Sequence, residues 1–545
     1  MNLMGRVFGR AGRATAGADV STQAGRRGPA LASFMRGNRG PVFQRWNPAA
    51  RRSQDEIGAS WKLATARAVD SIHNSGWLAG AIDQATANTV GTGLRVKPQP
   101  ETVVLGMSKA EAREWVRLVE SRFELWSRNK RVCDIEGRRT FGEMQATAFR
   151  HWLATGEMLG EVAWRVRDQS PTGTKFRLIC PTRLSRRSAL HEGLINGVRM
   201  DADGLALSYE IRPNREEWNP NAFRTIPAMA AYGRARMVHV FSGPPETCRG
   251  ITPLAPVLQV VRQFDELSDA TLSAAIIQTL FAATITSDGA TEDALEGLMT
   301  SQERARMVSD GITPMEVYLE AVADFYGDGI FDTRLNGRVS HIMPGQKLDF
   351  KAAEHPNGNY PDFSKMLLRE IARCLGMTYE SASGDHSNAS YASLNNGNSE
   401  VFEVTKARRA HLVAPFSQPF YEAWLEEEIE RGDIPFPGGI VGFLTNRQAA
   451  CRADWRGAAR PIADETKKAK AHSVWRAMGV MSEQMICNDL GFDYEDVLAD
   501  MEEAQTLRLE YGVPEPTLIG VGGGNSPSGS ENDDDDSDST EDDDG

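Results

Sequence analysis

Paired cysteines are missing from this sequence. Its six, Cys133, Cys180, Cys248, Cys374, Cys451 and Cys487, are scattered through 545 residues with no C-x-x-C spacing, which disfavours a disulfide framework or a zinc ribbon and points to reduced, structural thiols of a cytoplasmic protein. Long apolar runs are missing too. The nearest, from Leu272 to Ile285, contains Gln278 and falls short of the roughly 18 residues a membrane helix needs, so no membrane partner is expected. There is no Gly-Lys dipeptide, hence no nucleotide-hydrolysing P-loop, and no G-x-S-x-G, H-E-x-x-H or complete G-x-G-x-x-G pattern. Asp201, Asp203 and Gly204 start like a calcium loop but lack the third ligand and the bidentate Glu, and read as a hairpin turn. His239 and His341 have no ligand partner at short spacing and read as structural. No catalytic, cofactor or metal site is therefore assigned, although a site assembled from distant residues would leave no such trace.

What is present is charge, unevenly placed. The net charge is −13, yet the first 54 residues hold ten arginines against Asp19 alone, and Glu531 to Gly545 holds ten acids and no base. The body between them keeps about −12, which argues against a static nucleic-acid binder with a basic face. The arm has no apolar h-region and reads as disordered, although an organelle transit peptide shares its composition. The acidic tail, behind the Gly/Ser segment GVGGGNSPSGS, reads as disordered, either solubilising or an electrostatic mimic that meets a basic partner or the arm.

Between the tails the pattern alternates in type. A helix is predicted around Ser60 to Ser71, then a loop through Gly91 and Gly93 toward Pro98 and Pro100. Capping boxes at Ser108/Glu111 and Thr140/Glu143 open two helices, the first with Trp115, Val119, Phe123 and Trp126 on one face, the second stopping near Gly156. EMLGEVAWRVRD and FRLICP read as neighbouring strands, and VRMDADGLALSYEIR as a hairpin turning at Asp203-Gly204. From Leu254 to about Ile285 one long helix is predicted, from Asp362 a second, and after a Ser/Asn/Gly-rich stretch a third that Pro415 and Pro419 interrupt and Gly432 closes. A last helical unit covers about Asp464 to Tyr511.

Four runs, in this order, resemble the lambda-like family of tailed-bacteriophage portal proteins. They are TFGEMQATAFRHWLATGEMLGEVAWR from Thr140; HVFSGPPETCRGITPL from His239, with Arg249, Gly250, Thr252, Pro253 and Leu254 similar to an Arg-Gly-x-Ser-Pro-Leu helix start; LLREIARCLGMTYESASGDHSNASYASLNNG from Leu367; and LGFDYEDVLADMEEA near the end. The third carries Arg369, Glu370, Gly376, Tyr379, Gly384, Asp385 and Tyr391 in the family's Arg-Glu-Ile-Ala, Leu-Gly, Tyr and Gly-Asp-x-Ser-Asn signature. Each run alone has an ordinary structural reading; their order carries the resemblance.

The resemblance implies an α+β portal fold: a basic disordered arm at 1–54, an α/β wing at 55–252, a first stem helix at 253–286, a clip at 287–358, a second stem helix at 359–378, a tunnel loop at 379–398, a kinked tunnel helix returning to the wing at 399–460, a helical crown at 461–512 and the tail at 513–545. It implies a ring, of twelve copies, at one capsid vertex of the virion, assembled in the bacterial host cytoplasm. Double-stranded DNA would be packaged and ejected through the ring. Its implied partners are terminase, the major capsid or scaffold protein, and head-completion and tail proteins. In the tunnel-loop candidate, Ser381, Ser383, Ser387, Asn388, Ser390, Asn395 and Asn396 offer neutral contacts, and no Lys or Arg occurs from Glu380 to Thr405. A dozen cationic phosphate grips would give a salt slope of about −10 and hold DNA still. An ordinary surface loop has the same composition. Where family members commonly show Tyr-Ser-Ser-x-Arg, this chain has Tyr391, Ala392, Ser393, Leu394 and Asn395, so a direct phosphate grip is in doubt. The alternatives are another virion or scaffold protein, or a metal-dependent nuclease using carboxylates such as Asp324, Asp328 and Asp332.

Overall fold

The computed structural model describes residues 50–168, 170–213, 222–280, 300–302, 311, 360–459 and 465–514. Most of the expected basic arm, nearly all of the clip, His341, the Asp324, Asp328 and Asp332 trio and the tail beyond residue 514 lie outside them. Met1–Ala59 and Ser60–Gly545 are separate compact units. Of the first, only the stretch from residue 50 is described. There Arg52 pairs with Asp55 at 3.0 Å at the start of helix α1, Ser53–Asn74.

The second unit is organised by two helices whose starts are written locally. In α3, Lys109–Arg128, the Ser108 hydroxyl accepts from Glu111 N at 3.2 Å and the Glu111 carboxylate accepts from Ser108 N at 2.8 Å. In α4, Phe141–Thr155, Thr140 and Glu143 do the same at 3.3 and 2.7 Å. These reciprocal bonds satisfy donors that the first turn leaves orphaned. As the periodicity predicts, Trp115, Val119, Phe123 and Trp126 are buried. The Phe123 ring sits 5.0 to 6.3 Å from Phe141, Trp424 and Trp455, edge-on geometry that aromatic pairs prefer.

Behind α4 comes strand β2, Glu157–Trp164, buried along all but its last residue. It is the middle of the antiparallel sheet β3–β2–β8, where β3 is Thr174–Leu178 and β8 is Met237–Phe241. Because side chains alternate along a strand, β2 serves two cores. Met158 and Val162 join the large aromatic core, whereas Leu159 joins a smaller one with Ile179, Leu184, Tyr209, Ile211 and Ile226. The second core backs onto the sheet β4–β5–β6–β7, Leu194–Ile195, Val198–Met200, Ala206–Ile211 and Arg224–Pro227. Its β5–β6 hairpin turns where expected, with Gly204 at φ +90°.

Four features depart from the sequence reading. Helix α2, Gly76–Thr89, fills what reads as a gap. Strand β1, Arg95–Pro98, occupies the end of the expected loop because it pairs antiparallel with β9, Ala453–Arg456. Residues 379–398 are not one loop: helix α7, Tyr379–Ser383, is followed by a turn and then by α8, Tyr391–Arg408, so Asn395 and Asn396 are helical. The run is also not interrupted at its prolines. A π turn at Arg409–Val413 links α8 to α9, Ala414–Glu430, with Pro415 in its first turn and Pro419 inside. A wider turn just before Pro415 accommodates the missing N–H. The run closes at Gly432, φ +78°.

The stem candidates are α5, Leu258–Leu280, and α6, Tyr360–Cys374, which pack together. The expected crown forms three helices, α10 at Glu465–Ala477, α11 at Glu483–Leu490 and α12 at Tyr494–Tyr511. Asp493, which caps α12, ties these helices to the β1–β9 pair through Lys97 at 2.9 Å and Arg456 at 3.1 Å.

Gly156 ends α4 at φ +86°, and a Cβ there would stand 2.2 Å from the Ile251 backbone. Gly204 also has positive φ, but with open space around it. Gly156→Ala is therefore expected to cost upward of about 3 kcal/mol, strain plus collision, against about 1 kcal/mol for Gly204→Ala. Denaturant unfolding of the two variants checks the order.

Candidate functional site

The residues singled out in the sequence gather in two places. The first is the corner where α4 turns into β2 and the 249–254 run leads into α5. Arg249 forms a two-pronged pair with Glu157, Nε to Oε1 at 2.6 Å and Nη2 to Oε2 at 2.8 Å, with 3 % of Arg249 and none of Glu157 exposed. Gly250 N donates to the same Oε1 at 3.0 Å, and Arg249 Nη1 reaches the Asn196 carbonyl at 2.9 Å. The Trp61 ring lies 5.1 Å from the guanidinium. Burial alone would push the Glu157 carboxyl up; Arg249, helped by the nearby His239, overrides it and brings it down to about 2. A Cβ on Gly250 would stand 2.3 Å from the Gly156 carbonyl, so the two glycines let the backbones touch. Thr252 Oγ1 then donates to the Leu153 carbonyl at 2.7 Å and accepts from Leu254 N at 3.1 Å, and the Pro253 carbonyl accepts from Cys374 Sγ at 3.1 Å. Both α5 and α6 are thus moored to the corner where α4 turns into β2.

The second place is the α6–α7–α8 junction. Arg369 lies over the Tyr379 ring at 5.5 Å, and Tyr379 Oη donates to Asp385 at 3.2 Å. Asp385 also accepts from Ser387 N at 3.1 Å and from the Ser387 hydroxyl at 2.6 Å, bonds that hold its carboxyl below the usual range. Gly384 caps α7 at φ +70°, and Gly376, at φ +69°, sits where a Cβ would meet Val404 of α8 at 2.7 Å. Ser390 caps α8 through Ser393. Around this frame Ser387, Asn388, Ser390, Tyr391 and Asn396 are exposed, whereas Ser381, Ser383 and Asn395 are partly buried. Lys467 of α10 approaches the Tyr391 ring at 5.4 Å. Among the described residues Glu370 makes no side-chain hydrogen bond to this frame.

A profile described as phage portal protein, lambda family, matches residues 39–409, which takes in both places. The chain belongs to the lambda family of phage portal proteins. Over 487 residues this portal chain is 27 % identical to portal protein B of Escherichia phage lambda, covering 88 % of this chain and 90 % of that one. Over 489 residues it is 26 % identical to the portal protein of Escherichia phage N15, covering 88 % and 91 %. Among solved structures it is similar to a chain in the virion of a native gene transfer agent particle, with 13 % identity, a TM-score of 0.39 and coverage of 82 % and 96 %. A chain in the neck of the empty particle gives 13 %, 0.38, 83 % and 98 %. The role of a portal protein is structural. Among the described residues no three His, Cys, Asp or Glu side chains gather as a metal ion would require, and no helix is long and apolar enough to cross a membrane.

Sequence reasoning singled out Arg249 but not its partner, although Glu157 stands in the quoted Gly-Glu pair. It also passed over Glu161, fully buried between Arg177 at 2.8 Å and Arg224 at 2.6 Å, and Glu427, whose carboxylate accepts from Gly173 N at 2.6 Å and Thr174 N at 2.8 Å. A run of three glutamates, 426 to 428, looks like a solvated helix face and is buried here.

Arg249→Met leaves the Glu157 charge enclosed and unpaired and is expected to cost about 3–5 kcal/mol, part of which Glu157→Gln in the same chain restores. The carboxyl titrates lower folded than unfolded, so the pair's contribution is complete above about pH 4.5 and is lost as the pH falls toward 2. Denaturant midpoints between pH 7 and pH 3 should fall more steeply for the parent than for the double variant.

Proposed function

We propose that copies of this chain, twelve in number, close into a ring at one capsid vertex, and that the ring is the conduit through which a separate terminase drives duplex DNA inward and through which the DNA later leaves. The observation that carries the closure is the surface of a single copy. Of the described crown residues only His472 is buried, while Trp475, Met478, Phe492, Met501 and Leu509 are 46 to 79 % exposed. On the stem helices Leu272, Phe363 and Met366 are likewise about half exposed or more. Helices without a buried apolar face are marginal alone, and large apolar side chains left exposed on several helices suit an association surface. Neighbouring copies would supply the missing cover.

The conduit reading rests on residues 380–405, which hold no Lys or Arg and expose Ser387, Asn388, Ser390 and Asn396. Neutral contacts let a polyanion slide where cations would hold it, and an acidic body keeps it off the wall. In this reading the ring assembles in the host cytoplasm with the major capsid or scaffold protein, then docks terminase and later head-completion and tail proteins. It acts as bearing and gate, with no reaction of its own.

Light scattering with negative-stain imaging of the same peak is expected to give a closed ring of about 0.7 MDa, twelve times 59.8 kDa, with a central channel. A small species that cuts DNA when given a divalent metal would overturn the reading in favour of a nuclease. Asn388→Arg, at an exposed turn, is expected to slow terminase-driven packaging several-fold; an unchanged rate removes the sliding argument.

A further inference from the structure

Helices α10, α11 and α12 are joined to one another by polar groups. Glu483 of α11 pairs with Arg476 of α10 and accepts from Tyr494 Oη of α12 at 2.8 Å. Asp489 of α11 meets Lys468 at 2.6 Å and His472 at 3.0 Å, both from α10. None of the three helices contributes a residue to either hydrophobic core. Polar groups are turned inward and apolar ones left outside, the reverse of a helical unit that packs on itself.

What lies outside is ordered by charge. Helix α10 carries four bases against Glu465, and α12 six acids against Arg508. On α10, Lys467, Lys470 and Val474 follow one another down one exposed face. Met478 continues it, through a turn in which its N–H donates to the Val474 carbonyl at 2.9 Å. On α12, Asp500, Glu503, Leu507 and Tyr511 do the same. Both series step by three, four and four residues, the spacing of one helix face. Set side by side in parallel, they bring Lys467 to Asp500, Lys470 to Glu503, Val474 to Leu507 and Met478 to Tyr511, along about 16 Å of helix. The four apolar members are 45 to 75 % exposed in a single copy, and Lys470, Asp500 and Glu503 make no ion pair among the described residues.

We infer that the exposed face of α10 in one copy lies parallel on that of α12 in the next, a seam between subunits that presupposes the ring closure proposed above. Charge complementarity selects the occupant: the basic end of one face meets the acidic end of the other, and the apolar ends then coincide without a shift. A contact between unlike faces can repeat from copy to copy until the ring closes, with no face left over. The two ion pairs set partner and register, and burial of the apolar pairs supplies the attraction.

The test compares the full chain with two charge-reversed variants, Lys467→Glu with Lys470→Glu and Asp500→Lys with Glu503→Lys, by light scattering and negative-stain imaging. Each variant sets like charges against each other at the seam and is expected to need at least about tenfold more protein than the parent to close a ring. An equimolar mixture of the two is expected to assemble as the parent does, because the variants alternate around an even-numbered ring and every seam again joins opposite charges. That recovery also shows that both variants fold. A chain carrying all four substitutions is expected to close rings unaided. Rings from each variant alone at the parent's concentration would overturn the seam and leave the ring reading standing. Rescue by the fourfold chain but not by the mixture would place the pairing within one copy, and rescue by neither would give the two faces to other occupants; both outcomes overturn the seam. A parent chain that closes no ring overturns the ring reading and the seam together.

Discussion

Glu157 is enclosed on all sides, and a carboxylate in such a place survives only if something answers its charge. Arg249 does so with two hydrogen bonds, and Gly250 adds a third from the backbone. Desolvating two ions is costly, so the pair is better understood as a constraint on geometry than as a source of net stability. It admits one arrangement of three chain segments: the start of β2, the Asn196 turn and the run into α5. The direction in which α5 leaves this corner follows from it, and α6 inherits that direction through its packing and through Cys374.

The same device recurs. Glu161 holds β3 and β7 to β2 through two arginines, and Glu427 in α9 accepts from two backbone N–H groups where β3 begins. Glu428 meets Arg122 of α3 at 2.7 Å. Acids thus sit inside where they join elements distant in sequence. Lys175 is the inverse case: its ammonium is buried and donates to the Val132 and Thr172 carbonyls at 2.6 and 2.8 Å, and burial pushes it down to about 8. Leaving any of these groups unpaired would cost several kcal/mol, which makes these sheets and helices intolerant of shifted register.

What the sequence made legible was local. The capping boxes were readable because donor and acceptor lie three residues apart, and β2 with β3 because their pairing follows within one turn of chain. Strand β1 was not, since its partner β9 lies more than three hundred residues away and RVKP has little pattern of its own. Helix α2 was hidden by Gly76 and Gly80, poor helix formers, although its alanines favour the helix. The prolines misled because Pro415 falls in the first turn after the π turn, where its missing N–H costs little, and α9 runs on through Pro419. At the α6–α8 junction the family signature marked the right residues, yet the Tyr379, Asp385 and Ser387 contacts, and the helical setting of Asn395 and Asn396, depend on how the turn closes. The Arg249 partner was likewise beyond sequence, because any of seventy-four acids could have answered it.

From Tyr391 to Glu430 the chain is helical without a gap, a rod of about 60 Å. One end begins at the exposed Ser390 cap; toward the other, the rod's own Phe420, Tyr421 and Trp424 are buried in the large aromatic core. A helix is stiff along its axis, and compliance concentrates where the hydrogen-bond ladder is irregular. That place is the π turn, and its first residue, Arg409, is fastened to the carbonyls of Asn88 and Thr89 at the end of α2 and to Ala458. A push delivered at the Ser390 end would therefore travel as along a strut, and the clamp at Arg409 decides whether it bends there or is carried into the core.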